Sequence, residues 1–161
     1  MHKAIAALMC SAVVATADAA KPSVKAVSEL PTDWYEFRAS SDPAIQKLVT
    51  RIDDTDWWAN CLRFGTISRA KAKTLEFAVL RAYLTDLKHM NGVDWMNVDR
   101  RTVQIGMTSC GIIAALGRPN AVNRTTTALG RSEQWVYRDR GIYVYTEQRG
   151  KGTALVTSFQ D

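Results

Sequence analysis

The sequence predicts an α+β fold: helices packed on one face of a small three-stranded antiparallel sheet, preceded by an N-terminal helical extension. Three observations carry this expectation. Residues 41–98 repeat apolar side chains at helical spacing. Ile105 to Pro119 reads as a short helix with a start signal and a Gly-x-Pro stop. Beyond it lie short apolar runs, two of period 2, separated by Gly-containing turns.

The chain has 161 residues, 47% apolar and 23% charged, the balance of a soluble globular protein. Its first nineteen residues read as a signal peptide. Lys3 supplies a positive start, Ala4 to Thr16 carries no charge, and Ala17-Asp18-Ala19 places small residues where a signal peptidase reads, so cleavage is expected after Ala19. The run is too short for a stable membrane span, which argues against the alternative of a retained anchor. Residues 20–40, with Pro22 and Pro31, read as a linker. Trp34-Tyr35-Glu36-Phe37 inside it fits either a helical turn or a strand.

Ser41-Asp42-Pro43 starts a helix: an acid can accept the first free amide hydrogens, and proline at the first helical position loses no bond. Ile45, Leu48, Val49 and Ile52 then form one face. Asp53, Asp54 and Asp56 interrupt it, and a second helical piece from Trp57 is expected to end at Gly65. The three carboxylates lack the glycine and distal glutamate of a calcium loop, so they read as a helix junction with a cap for the next turn. Ser68 is expected to cap the longest helix, Arg69 to about Met90, stopped by Asn91-Gly92, with a short turn or helix at 99–103.

From Ile105 on, Thr108 can cap a helix whose stripe is Cys110, Ile113, Ala114 and Leu116; Gly117 closes it and Pro119 forbids its continuation. A polar connection from Asn120 to Gly130 follows. The strands expected are Glu133–Arg138, Ile142–Glu147 and Thr153–Phe159. Residues 41–98 are taken as the helical extension and 99–161 as the α+β domain.

Ile105-Gly106-Met107-Thr108, the short helix, Ala115-Leu116-Gly117-Arg118-Pro119 and then Trp135-Val136-Tyr137 together resemble the SmpA/OmlA (BamE-like) domain of bacterial envelope proteins. The resemblance spans Asp99 to Gln160. It implies two short helices on a three-stranded antiparallel sheet, a plan shared with the repeats of the β-lactamase inhibitor protein, and a non-catalytic role in or beside outer-membrane protein assembly. The family is lipid-anchored. Here Cys10 follows Met9 where a small residue is wanted, so the expectation is an exported protein without a lipid anchor.

Chemistry is scarce. Without the signal peptide the chain has one histidine, His89, and two cysteines, Cys61 and Cys110, too few for an imidazole metal site or a structural zinc site. Neither a metal nor a cofactor is expected, nor an enzyme. The sharpest enzymatic alternative, a Cys110 thiolate at a helix N-terminus with His89 as base, lacks a recognisable oxyanion loop. An even cysteine count in an exported chain predicts a Cys61–Cys110 disulfide, the alternative being two buried thiols. The net charge is +5, with the surplus mostly from Asp99 on, where nine bases face five acids. No aromatic-basic nucleic-acid signature is present.

The function expected is therefore an envelope binding or scaffold protein, with a soluble inhibitor of an exported enzyme as the alternative. The partner expected is a protein of the envelope, with an anionic outer-membrane or lipid surface as a candidate second contact; the competing reading of the basic surplus is a solvated surface. Trp135, Tyr137, Tyr143 and Tyr145 are the candidate anchors, strand alternation deciding which face outward, and Arg138, Arg140 and Arg149 the candidate basic rim. The competing reading puts all four aromatics in the core or in cross-strand pairs.

Overall fold

The computed structural model describes residues 30–71 and 73–161; the signal peptide and residues 20–29 of the linker read from the sequence lie outside them. Among the described residues six α-helices precede a four-stranded antiparallel sheet: α1 (Trp34–Ala39), α2 (Pro43–Asp53), α3 (Trp57–Arg69), α4 (Leu75–Asp86), α5 (Gly92–Val98) and α6 (Ser109–Leu116), then β1 (Ala121–Thr127), β2 (Gly130–Tyr137), β3 (Ile142–Arg149) and β4 (Leu155–Gln160). The strands follow one another in the order β1-β2-β3-β4, a plain meander.

Local signals start most helices. Asp42 accepts from Ala44 N at 2.8 Å ahead of Pro43, and α2 buries Ile45, Val49 and Ile52 on one face. At the helix junction Asp56 accepts from Trp58 N at 3.1 Å and caps α3, while Asp53 faces Arg38 at 3.6 Å. Thr108 accepts from Gly111 N at 3.0 Å to begin α6, and Gly117, at φ 86, ends it. Because α6 sits at the centre, Cys110 through Leu116 are all buried, not only the expected stripe. The aromatic segment 34–37 is helical, capped by Asp33, with Trp34 and Phe37 buried.

The helical half differs from expectation at two places. Gly65 does not end α3; it lies inside the helix because its bare Cα lets α6 come close, a Cβ there falling 2.1 Å from Ala114 O. Ser68 therefore caps nothing. It is buried within α3, which closes instead at Lys71, a non-glycine residue at φ 51, before Thr74 accepts from Phe77 N and starts α4. The long helix of Arg69 to Met90 is thus the end of one helix and the whole of another. At Asn91-Gly92 the asparagine opens α5: it accepts from Val93 N and Asp94 N while Asp94 accepts from Asn91 N, a reciprocal capping box.

The sheet has a fourth strand where a polar connection was read. Ala121 to Thr127 pairs residue for residue with β2, Ala121 opposite Val136 and Thr127 opposite Gly130. As an edge strand exposed on both faces over most of its length, it shows no apolar alternation. Val122 and its three threonines are the strand-favouring residues it carries.

Both halves share one core. Trp34, Ile52, Phe64, Val79, Leu84, Ile112, Trp135, Val144 and Val156 belong to a single buried cluster. Cys61 and Cys110 are bonded across the α3–α6 contact with their Cα atoms 5.4 Å apart.

Candidate functional site

The register sorts the sheet residues onto two faces. Trp135 pairs with Val144 and Tyr137 with Ile142, and these side chains point to the helices. Trp135 is 1% exposed; its ring stacks on Trp58 at 5.2 Å and its Nε1 donates to Glu133 Oε2 at 3.1 Å. Glu133, itself buried, accepts from Arg124 Nε at 2.8 Å and faces Arg131 Nε at 3.4 Å, so two guanidinium groups compensate the carboxylate at the edge of the core. Tyr137 is 3% exposed and donates its hydroxyl to Gly117 O at 3.1 Å, and burial pushes its phenol well above the usual range. Trp135 and Tyr137 are thus anchors of the interior, and the partner-binding role considered for them does not fit their burial.

Tyr143 and Tyr145 have the opposite parity. Tyr143, 36% exposed, pairs with Val136, and Tyr145, half-buried, pairs with Gln134. On this outer face Asn123 Nδ2 donates to Gln134 Oε1 at 2.9 Å and Gln134 Nε2 to the Tyr145 hydroxyl at 3.0 Å, a polar chain across three strands. It holds the Tyr145 ring in place. A shallow groove of about 420 Å³ runs beside it, lined by Asn123, Ser132, Gln134, Tyr145, Glu147 and Ser158 among others. The result is a mainly polar surface that carries two phenols, of which Tyr145 is held by a hydrogen bond.

The three arginines expected at its rim do not stand together. Arg138 and Arg140 lie in one 3-10 turn after Tyr137, whereas Arg149 pairs with Gly130 at the other end of β2. That separates them by about 23 Å at 3.3 Å per residue. Arg149 is also partly engaged, 3.5 Å from Glu147.

On the helical side, a second groove of about 320 Å³ opens between the start of α3, the α4–α5 connection and the chain before β4. Trp57 stacks on His89 there at 5.9 Å, and His89 and Cys110 both line it. Burial lowers the His89 pKa, but the Cys110 sulfur is held in the disulfide, so this pair offers an imidazole without a thiolate partner. Among the described residues no group of three or more His, Cys, Asp or Glu side chains is placed to hold a metal ion, and no helix is long and apolar enough to cross a membrane.

Sequence reasoning missed one buried polar centre. Asp94, fully buried, accepts from Asn91 N at 2.7 Å, Thr108 N at 2.9 Å and Thr108 Oγ1 at 2.9 Å, fastening α5 to the first turn of α6. An asparagine followed three residues later by an acid was the available signal. No protein-family model, curated protein or solved structure matches the chain.

Proposed function

We propose that this chain is an exported, non-catalytic binding or scaffold protein of the bacterial envelope, accessory to outer-membrane protein assembly, and that it meets its protein partner through the outer face of the sheet. The observation that carries the reading is the pair Tyr143 and Tyr145, oriented on a face that the helices leave open. Rigid aromatic side chains with a polar tip give contact area at low entropic cost.

Export is supported by the Cys61–Cys110 bond, which belongs in an oxidising compartment. The assembly role rests on the resemblance of residues 99–160 to the SmpA/OmlA (BamE-like) domain. The Thr108-capped helix, its Gly117 end and the antiparallel strands after it are in keeping with that plan; the fourth strand departs from it.

Intact-mass measurement on protein purified from the periplasm, followed by affinity capture from envelope extract, tests the reading. A mature chain beginning at Ala20 without acyl mass, capturing outer-membrane assembly components, supports it. Retention of residues 1–19, an acyl chain on Cys10, or recovery of one stoichiometric soluble enzyme instead, as an inhibitor would give, contradicts it.

A further inference from the structure

Four turns meet at the end of the molecule opposite the β1–β2 hairpin tip, and specific hydrogen bonds hold them there. From the last turn of α3, Arg69 Nη1 donates to Ala114 O at 3.0 Å in the last turn of α6. Ser68 donates to the Asp99 carboxylate, seating the turn that carries Arg100 and Arg101 against the same end of α3. The Tyr137 hydroxyl bonds Gly117 O, and Arg138 N donates to Asn120 Oδ1 at 2.7 Å, which seats the Arg138–Arg140 turn beside the end of α6 and Arg118.

These turns bring six arginines to one pole: Arg69, Arg100, Arg101, Arg118, Arg138 and Arg140. All but the half-buried Arg69 are exposed. Every ion pair among the described residues involves other cations. The same turns carry two acids, Asp99, which accepts from Ser68, and Asp139. Arg69 senses the imbalance: its pKa is lowered, first by burial and then by the charges of Arg101 and Arg140. The cations at the centre of the pole therefore repel one another. The C-terminal carbonyls of α6 would oppose an anion here, but the Arg69 bond to Ala114 O covers one of them.

We propose that Arg69, Arg101 and Arg140 form a binding site for a phosphate-bearing ligand, held between the end of α3, the turn after α5 and the β2–β3 turn. Guanidinium groups keep their charge at every physiological pH and match the spacing of phosphate oxygens. A planar carboxylate satisfies one such fork. A tetrahedral dianion can accept from three directions at once and turns the mutual repulsion into attraction. The site is distinct from the outer sheet face and does not depend on the assembly reading.

Titration calorimetry on the mature chain with pyrophosphate at fixed ionic strength tests it, with a thermal shift alongside. Saturable binding is expected, the melting temperature rising more with pyrophosphate than with phosphate and least with chloride. Arg101→Gln/Arg140→Gln, at two exposed positions, weakens binding about tenfold or more. Arg149→Gln/Lys151→Gln removes the same charge at the far end of the sheet and leaves binding intact. No saturable binding, or equal losses in the two double variants, overturns the site. Vesicles containing phosphatidic acid are captured by the unaltered chain and released by pyrophosphate, as one site taking either carrier requires. Capture that pyrophosphate does not release would be a response to surface charge and would also overturn it.

Discussion

Asp94 and Gly111 contend for one space: a Cβ on residue 111 would stand 1.8 Å from Asp94 Oδ1. Because Thr108 both caps α6 and donates to Asp94, the carboxylate can reach the helix start only if the third residue of α6 has no side chain. Gly111→Ala should destabilise the protein by about 3 kcal/mol, through overpacking and displacement of a buried acceptor. Denaturant unfolding reads this directly, and unchanged stability would contradict the arrangement.

The same carboxylate makes stability depend on pH. Burial raises the Asp94 pKa from 3.8 to about 6, against the lowering effect of its bonds from Asn91 and Thr108. The folded state then holds this proton more tightly than the unfolded chain does. The contribution is full below about pH 4 and is lost as pH rises through 6, an effect of about 3 kcal/mol. Asp94→Asn should flatten the stability profile between pH 4 and 7 relative to the unaltered protein. If both proteins keep the same slope, Asp94 does not titrate as stated.

Gly65 opposes two principles to each other. Helix propensity alone makes Gly65→Ala stabilising by about 1 kcal/mol, since the residue lies within α3. The contact with Ala114 predicts the reverse, because the atoms met at 2.1 and 2.8 Å are all backbone and cannot turn aside. A net loss of about 2 kcal/mol is expected, visible as a lower melting temperature. A gain would mean that α3 and α6 are not packed this closely.

The Cys61–Cys110 bond closes a loop of sequence separation 49. Cys61→Ala/Cys110→Ala should cost about 4 kcal/mol in the chain-entropy view. Reductant should lower the melting temperature of the unaltered chain and leave that of the double variant where it is. Two reactive thiols in freshly isolated, denatured protein would contradict the bond.

Legibility in the sequence followed how local the cause was. α2 and α6 announce themselves through Asp42-Pro43 and through Thr108 with Gly117, because capping is settled within a few residues. The division of α3 from α4 was hidden. A glycine inside the helix is explained only by Ala114 beyond it, and the true break falls on Lys71, whose positive φ no residue type foretells. β1 lacked any apolar alternation because it lies at an edge. At the candidate site, period 2 separates Trp135 and Tyr137 from their neighbours, but only the stack on Trp58 decides that their parity is the inner one and that of Tyr143 and Tyr145 the outer. The arginine pole was beyond sequence reading, its members coming from four separate turns.

Site-specific photo-crosslinking in the intact envelope tests the central claim most directly. With a photoreactive residue at position 143 or 145, the account predicts discrete adducts with an outer-membrane assembly protein. Position 47 on α2, exposed and on the helical side, should give none. Adducts from position 47 that match those from 143 and 145, or no adducts from the sheet face at all, would contradict it.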